Sequence, residues 1–226
     1  MMTRTPLAIL AATAVIGGGW YMLQPAAPGN DLTPFGATAQ EADETAESGD
    51  VEIAEMTLGD ADAPVKVIEY ASFTCPHCGT FHDIVFPELK ENYIDTGKVE
   101  FTYREVYFDR YGLWAGMVAR CGGEDRYFGI ADLLYERQRE WARGEPAEIA
   151  ANLKTVGKTA GLTDEQLDAC LGDGAKAEAL VRNFERNAET HDITSTPSFI
   201  IDGEKYSNMS YADFSAVLDE KLGEDS

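Results

Sequence analysis

The stretch that most constrains the fold is Cys75-Pro76-His77-Cys78, because of what lies on either side of it. Before it, residues 63–73 (APVKVIEYASF) are rich in β-branched and aromatic residues and predict a mostly buried strand. After it, apolar residues recur at four-residue spacing and predict a helix, with Pro87 expected to kink it. These residues are Phe81, Val85 and Leu89. The two cysteines therefore lie where a strand ends and a helix begins.

Three kinds of site use two cysteines separated by two residues: a zinc half-site, a structural bridge and a redox pair. Zinc needs two further ligands, and the remaining candidates are scattered singly along the chain. They are Cys121, Cys170, His82 and His191. A redox pair is favoured by the position at a helix start, where free N–H groups and the helix dipole stabilise a thiolate at Cys75. Pro76 suits the first helical turn, His77 adds a donor beside the sulfur, and Cys78 is expected to be more buried.

The order of predicted elements indicates the fold class. Residues 97–106 (GKVEFTYREV) predict a second strand, and residues 112–192 predict helices throughout. Residues 197–206 predict two short strands before a last helix over 211–222. Thr163 and Ser210 are expected N-caps. The order β-α-β, helices, β-β-α is that of an α/β thioredoxin-like fold with an inserted helical domain. The expected parts are 51–111 and 193–226 for the thioredoxin-like domain and 112–192 for the insertion.

Thr196-Pro197 opens the strand that follows the helical segment. In thioredoxin-like folds a proline at this place is cis and lies against the disulfide, and the residue before it offers backbone groups to an extended peptide. An ordinary trans proline at a strand start is the alternative. Read together with Cys75–Cys78, the dipeptide favours the cis form.

The N-terminal segment predicts export. Residues 7–23 carry no charge, follow a lone Arg4 and precede acidic residues. Residues 1–23 are therefore expected to be a signal peptide or an N-terminal membrane anchor, and both remain open. Residues 24–50 predict a flexible acidic linker. The formal net charge of −22 argues against a nucleic-acid partner. An even count of four cysteines in an exported chain suggests disulfides.

Four stretches resemble the DsbA-like thiol-disulfide oxidoreductases of bacterial envelopes, particularly the exported alphaproteobacterial kind. They are VIEYASFTCPHC, FPELKENYIDTGKVEFTYREV, ARCGGEDRYFGIADLLYERQREW and STPSFIIDG. The resemblance covers residues 55–222. It implies a periplasmic enzyme, free or tethered to the inner membrane, that introduces disulfides into exported proteins, with no cofactor and no metal. The implied partners are reduced or unfolded exported proteins and a quinone-linked reoxidant resembling DsbB.

The resemblance also implies roles for individual residues. Cys75 corresponds to the exposed nucleophile, Cys78 to the buried resolving thiol, and His77 to the histidine that stabilises the thiolate. Pro197 corresponds to the cis-proline, and Thr196 to the residue that binds substrate backbone. Glu69 resembles a buried acid that passes protons; an exposed strand glutamate is the alternative. Many relatives place a lysine near this acid, where the present chain has Tyr103 or Arg104.

Some relatives join a pair like Cys121 and Cys170 in a second disulfide within the helical domain, and the resemblance implies the same here; two free buried thiols are the alternative. The direction of electron flow is left open, because Thr-Pro also occurs in isomerases. An isomerase or reductase and a peptide-binding chaperone are therefore alternative functions. Residues near the end of the second strand, Val106, Tyr107 and Phe108, are candidates for an apolar rim around Cys75 or for core packing.

Overall fold

The structure, a computed structural model, describes residues 51–223. The predicted signal or anchor segment and the acidic linker lie outside the described residues. Between residues 51 and 223, no helix combines the length and apolar composition needed to cross a bilayer.

The described chain alternates strands and helices around one mixed sheet. Its elements are β1 (Met56–Leu58), β2 (Val65–Ala71), α1 (Pro76–Ile84), α2 (Phe86–Leu89), a π-helical turn (Lys90–Ile94), β3 (Val99–Glu105), α3 (Arg110–Cys121), α4 (Glu124–Glu136), α5 (Gln138–Trp141), α6 (Pro146–Thr159), α7 (Asp164–Gly172), α8 (Gly174–Thr190), β4 (Ser198–Ile201), β5 (Glu204–Ser207) and α9 (Tyr211–Leu222). The strand β1 is an element that sequence reasoning missed, because three residues are too short for a periodic pattern.

The sheet order is β1-β3-β2-β4-β5, with β2 and β3 parallel and the other pairs antiparallel. β2, α1 and β3 form a βαβ unit, and β4, β5 and α9 form a ββα unit, with helices α3–α8 between the two. This arrangement is a thioredoxin-like fold carrying an insertion. Pro87 lies in the first turn of α2, where its missing N–H costs nothing, and the predicted kink is a break between α1 and α2. Thr163 and Ser210 cap α7 and α9 as predicted.

Alternation along β2 decides which side chains lie beneath α1. Because successive strand residues face opposite sides of a sheet, Val67 and Glu69 share one face, while Ile68 and Tyr70 share the other. The first face packs against α1 and α9, where Phe81, Phe199 and Phe214 are in ring contact. Ile68 and Tyr70 instead join a small cluster with residues of β4 and α8. Glu69 is thereby directed into the core under α1 and is fully buried.

Two connections hold the helical segment together and to the sheet. Cys121, at the end of α3, forms a disulfide with Cys170 of α7, with an S–S distance of 2.11 Å and a sequence separation of 49. Closing a loop of this length contributes about 4 kcal/mol by the chain-entropy estimate. Arg120 forms a bidentate pair with Glu105 at the end of β3, with N–O distances of 2.7 and 2.6 Å, and both side chains are buried.

Candidate active site

Cys75 is the N-cap residue of α1 and stands where β2 has just ended. Its backbone is extended, and its N–H donates to the carbonyl of Ser72 at 3.0 Å. Its own carbonyl accepts from the N–H of Gly79 at 3.1 Å, and Pro76 occupies the first helical turn. The sulfur therefore lies at the positive end of the helix, as the sequence pattern indicated.

The two cysteines, both free thiols in this structure, lie in different surroundings. Cys75 is partly exposed and Cys78 is fully buried. A hydrogen bond from Cys78 is the largest cause that lowers the pKa of Cys75 to about 5, with smaller contributions from the Thr196 hydroxyl and the backbone N–H groups of Cys78 and His77, against the opposing effect of partial burial. Burial, the hydrogen bond to Cys75 and the charge of Glu69 raise the pKa of Cys78 far above its ordinary value.

The loop that precedes β4 faces this pair. The Thr196–Pro197 peptide bond is cis, and Pro197 is buried. The Cys75 thiol donates to the Thr196 carbonyl at 3.6 Å, so the two segments are in contact although 121 residues separate them in sequence. The Thr196 hydroxyl is buried and makes no hydrogen bond of ordinary geometry within the described residues, yet it acts on the pKa of Cys75. This hydroxyl is thus available to a thiolate at Cys75.

Ionisation of Cys75 should therefore depend on Thr196. We expect the thiolate absorbance of the reduced protein to titrate with a midpoint near the pKa of about 5, against an ordinary value of 9.0. Because this pKa is lowered, the thiolate stabilises the reduced form in full when the pH is above the ordinary pKa of 9.0. The stabilisation is lost as the pH falls through about 5. Thr196→Val should move the midpoint upward. The control Thr155→Val, at an exposed position of α6, should leave it in place. An unchanged midpoint in Thr196→Val would contradict the assignment.

His77 contributes to this site through its backbone. Its side chain is exposed, and its effect on the pKa of Cys75 comes from the N–H group. The imidazole role implied by the sequence is therefore a proposal rather than a contact in the structure.

Beneath α1, Glu69 is paired with a histidine that sequence reasoning did not select. His82 Nε2 lies 2.9 Å from Glu69 Oε2, and both side chains are buried. Of the candidates from the following strand, Arg104 lies on the opposite face, where it bonds Glu55 and the Tyr70 hydroxyl. Tyr103 lies on the same face as Glu69, with its ring 5.8 Å from that of His82 and its hydroxyl bonded to that of Tyr135. One signal could have found His82, since it follows Cys78 by four residues and so shares its face of the helix.

Gln138 is a second residue that sequence reasoning missed. From α5 in the helical segment, its Nε2 donates to the carbonyl of Phe73 at 2.8 Å and to that of Cys75 at 2.9 Å. It thereby joins the loop between β2 and α1 to the helical segment. No local pattern marks Gln138, because its role depends on how the helical segment folds back onto the loop.

The rim beside Cys75 contains one of the three predicted apolar residues. Val106 is buried against Tyr70, so it belongs to the core, and Tyr107 is partly buried. Phe108 is 60% exposed, and its neighbour Asp109 accepts a hydrogen bond at 3.0 Å from the Thr74 hydroxyl. Phe108 therefore lies next to the loop that carries Cys75.

The other two cysteines stand apart from this pair, in the disulfide that joins α3 to α7. They are consequently not free to complete a zinc site with Cys75 and Cys78. Over residues 51–223, no group of three or more His, Cys, Asp and Glu side chains is placed to hold a metal ion.

Comparison with known proteins agrees with this geometry. A family model described as Thioredoxin matches residues 52–220. A Rickettsia bellii protein named "Putative protein-disulfide oxidoreductase" is 34% identical over 171 residues, which are 75% of this chain and 65% of that protein. The Bacillus subtilis "Disulfide bond formation protein D" is 26% identical over 170 residues, covering 71% of this chain and 72% of that protein. The crystal structure of Wolbachia pipientis alpha-DsbA1 superposes with a TM-score of 0.70 at 28% identity, covering 79% of this chain and 96% of that one.

The chain therefore belongs to the thioredoxin family. Within that family its relatives and structural neighbours are DsbA-like proteins, as the sequence resemblance predicted. The aligned region spans slightly less than two thirds of the Rickettsia bellii protein.

Proposed function

We propose that this protein is an exported thiol-disulfide oxidoreductase that introduces disulfides into other exported proteins through Cys75 and Cys78. The observation that carries the proposal is the asymmetry of the pair: an exposed sulfur of low pKa at a helix start faces Thr196–Pro197, and a buried sulfur of high pKa lies behind it. A purely structural disulfide does not require its two sulfurs to differ in pKa and exposure.

The cycle begins with the oxidised Cys75–Cys78 pair. A substrate thiolate attacks Cys75 Sγ, forming a mixed disulfide and releasing Cys78 as a thiolate that takes up a proton. A second substrate thiolate then attacks the substrate sulfur of the mixed disulfide, and Cys75 leaves as a thiolate. The substrate has lost two electrons and gained a disulfide, and the enzyme is a reduced dithiol. A thiolate of low pKa is a good leaving group, so Cys75 favours release of the oxidised product.

The same asymmetry supports oxidation rather than reduction. A stabilised thiolate at Cys75 stabilises the reduced enzyme, which makes its disulfide a stronger oxidant. Thr196, with its backbone beside Cys75 and Phe108 exposed nearby, suits the capture of an extended, unfolded chain. Glu69 is the acid that exchanges protons with Cys78.

Export is supported by the charge pattern around residues 7–23 and by the Cys121–Cys170 disulfide, since structural disulfides persist in oxidising compartments. A periplasmic location, free or tethered to the inner membrane, would place the enzyme beside reduced exported proteins. Regeneration would come from a membrane oxidant resembling the quinone-linked DsbB proteins.

The redox equilibrium of Cys75–Cys78 against glutathione tests the proposal. We expect a couple clearly more oxidising than thioredoxin, whose potential is about −270 mV, and closer to that of DsbA at about −120 mV. The measurement would follow the oxidised fraction across ratios of reduced to oxidised glutathione. A potential near that of thioredoxin would overturn the oxidase assignment and favour a reductase.

The isomerase and chaperone alternatives predict different results. Isomerases of this superfamily usually carry a dimerisation domain, and the polar composition of residues 24–55 does not suit one. A peptide-binding chaperone with an incidental dithiol would keep its function in cells when Cys75 is replaced by serine, whereas an oxidase would lose it.

A further inference from the structure

The buried pair of Glu69 and His82 has two polar atoms that make no hydrogen bond within the described residues. Glu69 Oε2 and His82 Nε2 contact each other at 2.9 Å, whereas Glu69 Oε1 and His82 Nδ1 are buried without a hydrogen bond to any described residue. Buried polar atoms are nearly always paired, so two such atoms on one pair require an explanation. One belongs to the carboxyl group whose charge acts on Cys78, and the other belongs to an imidazole ring.

That ring borders a cleft between α1 and the helices α4 and α5. The cleft has a volume of about 620 Å³ and extends from Pro76 of α1 past α2 to Lys90 of the π-helical turn, and residues of α4 and α5 also line it. His82 and Asp132 both line it. It is large enough to admit many water molecules. His82 thus lies between bulk solvent and the carboxyl group beneath the dithiol.

The His82 ring is held in one orientation. It stacks on Tyr135 at a centroid distance of 4.2 Å and an interplanar angle of 13°, and Phe86 packs against it at 4.7 Å. A ring clamped between two aromatic side chains cannot readily turn over. A proton that moves between the cleft and Glu69 must therefore enter the imidazole at one nitrogen while another leaves at the second.

We propose that His82 relays protons between this cleft and Glu69, and so supplies and removes the proton of Cys78 during disulfide exchange. The inference rests on the proposed dithiol chemistry and deepens it. His82 acts through Glu69 rather than on the sulfur.

The relay balances in both directions. When Cys78 leaves as a thiolate, it takes a proton from the Glu69 carboxyl, and Glu69 takes the Nε2 proton of His82. Nδ1, which is buried in this structure, then takes a proton from water that enters from the cleft as the surrounding side chains move. When the enzyme is reoxidised, Cys78 returns its proton by the same route and Nδ1 releases one. The two halves of the cycle restore the starting tautomer, so the ring never has to turn over.

Several ionisable groups surround His82 and bear on the pH dependence of the relay. Glu69 and Tyr103 face it from β2 and β3, Tyr135 and Asp132 from α4, and Cys78 and Asp83 lie on its own helix, with Lys90 beyond. Partial desolvation raises the pKa of Asp132 although much of the residue is exposed, while His82 and Lys90 lower it. The group at the mouth of the cleft is therefore electrostatically coupled to the ring.

The test is the rate at which dithiothreitol reduces the oxidised protein, measured by rapid mixing across a range of pH. His82→Gln keeps an amide donor for Glu69 but has no second nitrogen to complete the relay. We expect its rate to fall by about tenfold or more; this is less than the roughly 10²–10⁴-fold usual for direct general acid–base catalysis, because His82 acts through Glu69. The deficit should grow as pH rises, because direct delivery of protons to Cys78 becomes slower. The titration midpoint of Cys75 should stay in place.

A cavity variant separates relay from packing. In His82→Ala, added imidazole should restore the rate through the cleft, whereas pyrrole, which has the same shape but lacks an acceptor nitrogen, should not. His82→Phe keeps the stack on Tyr135 and replaces His82→Gln if that variant does not fold. Equal rescue by imidazole and pyrrole, or a wild-type rate in a folded variant at every pH, would overturn the relay. Failure of the wild-type protein to react with dithiothreitol would instead overturn the proposed function.

Discussion

Replacing Cys75 with serine should reduce disulfide exchange to the rate of the uncatalysed reaction. Cys75 is the exposed member of the pair, its pKa is lowered to about 5, and it is the sulfur in contact with Thr196. A serine hydroxyl offers no thiolate and cannot form a disulfide, so the entire cycle is lost rather than slowed. Oxidation of a reduced model peptide containing two cysteines would be followed by mass spectrometry.

Replacing Cys78 with serine should have a different result. Cys75 would still attack, but without a resolving thiol it should remain joined to its partners as mixed disulfides that accumulate on non-reducing gels. The matched control is Cys121→Ala with Cys170→Ala, which should lose stability yet retain exchange under conditions where it is folded. Exchange that survives in Cys75→Ser, or is lost in the folded double variant, would contradict the assignment of the active pair.

Replacing Arg120 with methionine should lower the free energy of unfolding by about 3–5 kcal/mol, because it leaves the buried carboxylate of Glu105 without its cation. Burial lowers the pKa of Arg120, but the charge of Glu105, its hydrogen bonds and the nearby Tyr127 and Tyr107 together raise that pKa above its ordinary value. Tyr127 also donates to Glu105 at 2.8 Å, so a three-member network would be disturbed. Urea unfolding followed by circular dichroism measures the loss.

Two further variants sharpen this measurement. Glu105→Met in the Arg120→Met background removes the stranded charge and should recover much of the loss. Lys154→Met breaks the more exposed pair with Asp168 and should cost much less, because exposed ion pairs contribute little to stability. A loss in Arg120→Met no larger than that in Lys154→Met would show that the buried pair does not hold the helical segment to the sheet.

The fold could be predicted from the sequence because its signals are local. The strand before Cys75, the helix after it, the caps at Thr163 and Ser210, and the order of the elements are all expressed in neighbouring residues. The buried face of α4 and α5 also follows from the helical spacing of its apolar residues, which are at most 1% exposed. They are Tyr127, Ile130, Leu134 and Trp141. Short elements such as β1 carry too few residues for a pattern.

The sequence by itself determined the position of the candidate redox pair, because a dithiol at a strand-to-helix junction owes its position to adjacent residues. Only the tertiary structure decided its surroundings: which residue pairs with Glu69, which amide holds the loop, and where the exposed aromatic lies. His82 pairs with Glu69, Gln138 holds the loop, and Phe108 is the exposed aromatic residue. Their roles arise from contacts between segments distant along the chain, and such contacts depend on packing and register that no local pattern encodes.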